Sequence, residues 1–73
     1  MKKLKYVICI ENSDYPVSLE KRKIYEVLPD SIAAKTDQIR VIDESGEDYL
    51  YPTKCFVDAK LSKATQAAVA KAA

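Results

Sequence analysis

Four carboxylates crowd one short stretch of the chain. Asp43, Glu44, Glu47 and Asp48 flank Ser45-Gly46. A cluster of this kind attracts a cation or a basic partner. Calcium takes about six to eight oxygens in a shaped loop, and this spacing fits no such loop. A pair of carboxylates can hydrolyse a glycoside, but only across a substrate cleft. A tight turn is a poor setting for either, so the four acids read as a solvated tip.

The basic residues are the next candidates. Lys21-Arg22-Lys23 forms a charged run, Lys2, Lys3 and Lys5 precede it, and Arg40 and Lys54 follow. Basic grooves with stacked aromatics bind nucleic acids. Lys21, Arg22, Lys23 and Arg40 are the residues that would contact phosphates if they shared a face. The balance of 12 basic against 11 acidic residues, a net of +1, does not call for such a face.

Nucleophilic and metal chemistry find little to work with. The chain has no histidine, the commonest general base and metal ligand. Cys9 and Cys55 lie far apart in sequence and make a poor zinc set. A secreted domain of this size normally carries a denser disulfide framework, so both cysteines are expected as free, buried apolar fillers in a cytoplasmic protein. No metal, no cofactor and no enzymatic step is expected.

The elements that would position these residues are mostly strands. Leu4 to Ile10 (LKYVICI) is rich in β-branched and aromatic residues and ends in the polar loop Glu11-Asn12-Ser13-Asp14. Val17-Ser18-Leu19 is long enough for a brief strand, and Glu20 to Lys23 is a charged turn. Ile24 to Leu28 (IYEVL) is a clear strand closed by Pro29-Asp30. Ser31 to Thr36 is too short for an independent helix and reads as a loop or a single helical turn. Gln38 to Ile42 (QIRVI) is a strong strand. Asp43-Glu44-Ser45-Gly46 is a turn around the only glycine, with Glu47 to Tyr51 as the return strand. Pro52 ends that strand. Thr53-Lys54-Cys55 suits one tight turn before Phe56-Val57.

The composition then changes. Residues 58–73 are alanine-rich and lack glycine and proline, which favours a helix. Leu61, Ala64, Thr65, Ala68 and Val69 form a weak apolar stripe, with Asp58 or Ser62 as N-cap. The chain has 73 residues, enough for one domain that buries roughly 60% of its unfolded surface, so a shallow groove is easier to build than a deep pocket. No apolar run approaches the ~20 residues that span a membrane.

The order of these pieces resembles the SH3-like barrels, including small domains of the bacterial type. VSLEKRKIYEVL (Val17 to Leu28) resembles the SH3 segment in which a short strand, a diverging turn and a hydrophobic strand follow one another. QIRVIDESG (Gln38 to Gly46) is similar to the third strand and distal hairpin. YLYPTKCFV (Tyr49 to Val57) is similar to a strand ending in proline, a single helical turn and a closing strand. The resemblance implies a mainly β fold, a five-stranded SH3-like barrel over 1–58, with a short C-terminal α-helix over 59–73. It places Tyr25 and Tyr51 in the core with Val17, Leu19, Val27, Val41 and Val57.

The departures bear on function. The tryptophan that opens the third strand in SH3 domains falls on Gln38, and the tyrosine after the proline turn falls on Cys55 or Phe56. The family's turn glycine falls on Arg22. The acidic, tyrosine-bearing segment after the first strand is reduced to Tyr15. Recognition of PxxP ligands is therefore not expected. The expectation is a small accessory module that binds another protein through a barrel face, using Tyr15, Gln38, Tyr49 and Phe56. The alternative is a nucleic-acid-binding small barrel using Lys21, Arg22, Lys23 and Arg40.

Overall fold

The computed structural model describes residues 5–72. It is mainly β, with five antiparallel strands and a short C-terminal helix. The strands are β1 (Tyr6–Cys9), β2 (Ile24–Leu28), β3 (Gln38–Ile42), β4 (Asp48–Pro52) and β5 (Phe56–Asp58). A short helix, α1 (Ser31–Ala34), links β2 to β3, a 3-10 turn at Thr53–Cys55 links β4 to β5, and α2 (Lys63–Lys71) follows. The sheet order is β4-β3-β2-β1-β5. Within it β2 divides its pairing: Ile24, Tyr25 and Glu26 pair with β1, while Val27 and Leu28 pair with β3.

Alternation sets the core. Val7 and Cys9 of β1, Ile39 and Val41 of β3, and Tyr25 of β2 point to one side and are buried. Leu19, Tyr51, Cys55 and Phe56 complete the cluster, with Tyr15 and Val27 packed against it. Both cysteines are free thiols. Burial pushes the Cys55 thiol up. No described helix is long and apolar enough to cross a membrane.

Two core expectations are corrected. Val17 is 88% exposed, because Val17-Ser18 belongs to a turn and not a strand. Val57 is 46% exposed. It lies opposite Ile8 in β5, one position out of phase with the buried Phe56, so alternation turns it outward.

Local chemistry places the turns. Asp30 caps α1, its Oδ1 accepting from Ala33 N–H at 2.9 Å. Residues 43–47 join β3 to β4, with Glu44-Ser45-Gly46 at the tip, closed by Asp43 N–H to Glu47 O and Gly46 N–H to Asp43 O, both 3.0 Å. Gly46 sits at φ 83, the left-handed position this loop requires. Arg22, where the family resemblance implies glycine, also takes a positive φ of 72 and donates its N–H to Cys9 O at 2.7 Å. Ser62 caps α2, accepting from Thr65 N–H at 3.1 Å. No residue of α2 is buried.

Candidate functional site

An open groove of about 410 Å³ runs between the loop after β1 and the β3–β4 hairpin. Tyr15, Ser18, Asp43, Ser45, Tyr49, Leu50 and Tyr51 line it. The loop is held in shape by its own bonds. Asn12 Nδ2 donates to Leu19 O at 2.9 Å, and Leu19 N–H donates to Tyr15 O at 3.0 Å. Glu44 N–H to Ser18 O, 3.0 Å, ties the loop to the hairpin. Tyr15 then meets Tyr51 edge to face, centroids 4.9 Å apart at 88°, a favoured aromatic geometry.

Asp43 forms the polar floor. It is only 7% exposed, which corrects its expected place on a solvated tip. Its Oδ1 accepts from Ser45 N–H at 2.8 Å and Ser45 Oγ at 2.6 Å, and its Oδ2 accepts from the Tyr51 hydroxyl at 2.5 Å. Burial alone would raise its pKa. The bonds from Ser45 and Tyr51 outweigh burial and hold the carboxyl below its ordinary value, so the floor is anionic. Burial and then the Asp43 bond push the Tyr51 phenol up to about 12.

A second tyrosine–carboxylate pair stands next to the first. Tyr25 Oη donates to Glu44 Oε2 at 2.5 Å and accepts Glu20 N–H at 2.7 Å. Lys23 Nζ reaches Glu44 Oε2 at 2.6 Å. Lys23 first, and Tyr25 second, lower the Glu44 pKa. Burial and the Glu44 bond raise that of Tyr25.

The candidate residues separate accordingly. Tyr15 and Tyr49 come together on the groove, and Tyr49 is 50% exposed. Its phenol is pushed up by the nearby Glu47 charge. Phe56 was expected at the surface and is instead buried, its ring 6.3 Å from both Tyr25 and Tyr51. Gln38 lies away from the groove. It pairs with Pro52 at the far end of the β3–β4 ladder and alternates with the buried Ile39, so it projects from the opposite face.

The four basic candidates do not form a free cationic face. Lys23 is engaged by Glu44 and, at 3.7 Å, by Glu20. Arg40 sits between Asp30 Oδ2 at 2.9 Å and Asp48 Oδ2 at 3.0 Å. It projects from the face opposite Val41, whereas Lys21 and Arg22 are exposed on the turn before β2. Among the described residues no three histidine, cysteine or acidic side chains converge as a metal set.

Tyr51, Ser18, Ser45 and Leu50 were not among the sequence-based candidates, and Asp43 was weighed only as part of a solvated acidic tip. The alternation of Tyr49 and Tyr51 was the available signal, since residues two apart on a strand share a face. Tyr51 serves both core and groove. No protein-family model, curated protein or solved structure matches the chain.

Proposed function

We propose that this chain is a small accessory binding module of the SH3-like barrel type, and that it contacts another protein through the tyrosine groove. The barrel reading is supported by the strand order β4-β3-β2-β1-β5, by the divided pairing of β2, and by the 3-10 turn between Pro52 and β5. The binding reading rests on one observation. Tyr15, Tyr49 and Tyr51 line an open groove whose floor is an ionised carboxylate. Tyrosine offers a large apolar contact area with a polar tip and loses little side-chain entropy on binding, which is why it is enriched at interfaces. Groove volume, openness and a single anionic anchor suit a side chain presented by a partner.

The nucleic-acid reading has less support. A phosphate contacting Lys23 or Arg40 would have to displace the carboxylates that already hold them. Among the described residues, ion pairs engage Lys23 and Arg40 and none engages Lys21 or Arg22.

The test is selection of short random peptides on the full chain, followed by amide chemical-shift mapping of the enriched peptides. Shifts should gather at Tyr15, Ser18, Ser45 and Tyr49, and Tyr49→Ala should weaken binding about tenfold. Absence of any enriched peptide, together with salt-dependent binding of random-sequence DNA or RNA at Lys21 and Arg22, would replace this reading with the nucleic-acid one.

A further inference from the structure

The groove lies along an open sheet edge, and the ladder tells which backbone groups that edge presents. Among the described residues β4 has a single neighbour, β3. At one end of their ladder Asp43 N–H donates to Glu47 O, and at the other Thr53 N–H donates to Asp37 O, both at 3.0 Å. These pairs share one register with Val41–Tyr49 and Ile39–Tyr51. Bonded and non-bonded pairs alternate in an antiparallel ladder. Tyr49 and Tyr51 therefore direct their N–H and C=O groups to β3. Asp48 and Leu50 direct theirs outward, and Pro52 adds a carbonyl without a donor.

The lining of the groove agrees. Tyr49, Leu50 and Tyr51 all contribute to it, although successive strand residues face opposite sides. A groove touching three consecutive residues follows the edge of the strand. Leu50 remains 38% exposed there.

We infer that an extended segment of a partner protein adds to the sheet as a strand beside β4, pairing with the outward N–H and C=O groups of Leu50 and Asp48. This rests on the protein-binding reading of the groove and specifies its mode. Backbone pairing supplies affinity, and alternate side chains of the incoming strand enter the groove. The side chains it accepts follow from the surroundings. Tyr15 and Tyr49 offer apolar contact. Glu44 and Asp48 are held by Lys23 and Arg40, but no ion pair joins Asp43 or Glu47 to a cation among the described residues. The matching segment carries a lysine or arginine next to an apolar residue.

A second copy of this chain is a poorer occupant. From Asp43 to Pro52 it would bring four carboxylates and no cation. The other edge strand, β5, is three residues long and offers little to pair with.

The experiment uses the tightest peptide recovered from the random library, titrated into the full chain. Amide exchange at Leu50 and Asp48 should slow about tenfold or more on binding. Peptide N-methylation at alternate positions should abolish binding in one register and be tolerated in the other. Leu50→Pro removes only an outward donor, as proline does on edge strands, and should keep the fold while weakening binding about tenfold or more. If that variant unfolds, the exchange and N-methyl readouts decide. A peptide that binds while Leu50 exchange is unchanged and every N-methylation is tolerated overturns strand addition and leaves the groove reading standing. A free protein that sediments as a dimer with Leu50 already protected overturns it in favour of self-pairing. Failure to enrich any peptide removes both readings.

Discussion

The hydroxyl of Tyr51 donates a 2.5 Å hydrogen bond to Oδ2 of Asp43, joining the far part of β4 to the root of the hairpin that precedes it. Against burial, and second to the Ser45 hydroxyl bond, it holds the nearly buried carboxyl below its ordinary pKa, and it fixes the ring that Tyr15 packs against. Core and groove therefore share one side chain.

That sharing gives a graded pair of variants. Tyr51→Phe removes one donor to Asp43 and should cost about 1–2 kcal/mol in equilibrium urea unfolding. Asp43→Ala removes the acceptor of three hydrogen bonds and leaves the Tyr51 hydroxyl buried without it. It should cost about 2–3 kcal/mol. Equal costs for the two variants would mean that the Ser45 bonds contribute nothing.

Stability should fall at both ends of the pH scale. Asp43 and Glu44 have folded pKa values lowered from 3.8 and 4.5. Their contribution is complete above those unfolded values and disappears as pH falls through the lower folded ones. Tyr51 is raised from 10.0 to about 12, so its contribution is complete below pH 10 and disappears as pH rises toward 12. Chemical denaturation across pH should give a plateau between these limits. Alkaline unfolding should coincide with tyrosinate absorbance.

Leu19 and Val17 should behave oppositely although only Ser18 separates them. Leu19 is fully buried and Val17 is 88% exposed. Leu19→Ala should cost about 2–5 kcal/mol, and Val17→Ala should stay within about 0.5 kcal/mol. Urea midpoints of the two variants test the correction to the sequence-based core directly.

Gly46 and Arg22, two of the four described positions with positive φ, invite reciprocal changes. Gly46→Ala meets no neighbouring atom within 4 Å, so its cost is the backbone conformation alone, about 1 kcal/mol. Arg22→Gly relieves a left-handed arginine and should leave stability unchanged or raise it by up to about 1 kcal/mol. Thermal midpoints would show both signs.

Removal of residues 62–73 should shift the thermal midpoint by less than about 4 °C, because α2 buries none of its residues. Far-ultraviolet circular dichroism should lose its helical component while the cooperative transition persists. A large drop would show that α2 supports the sheet.

Most elements were legible because their signals are local. The β-branched runs IYEVL and QIRVI, the Gly46 turn and the alanine-rich tail each carry their own periodicity or backbone preference, and each forms, the tail as the shorter helix Lys63–Lys71 within the expected 59–73. The short helix α1 also fits, since Asp30 supplies a cap that a loop reading tolerates. What the sequence left undecided depends on register and on distant partners. Whether Val57 or Phe56 turns inward is set by which of them lies in phase with the β1–β5 ladder. Whether Asp43 is a solvated acid or a buried floor is set by a tyrosine eight residues away and a serine two away. Whether Lys23 and Arg40 are available depends on carboxylates that only the fold brings within reach. Local propensity marked the five strands that form, though not that Val17-Ser18 would be a turn; long-range contacts, whose free energies accrue only once the chain has closed on itself, decided which of their side chains became core, groove or edge.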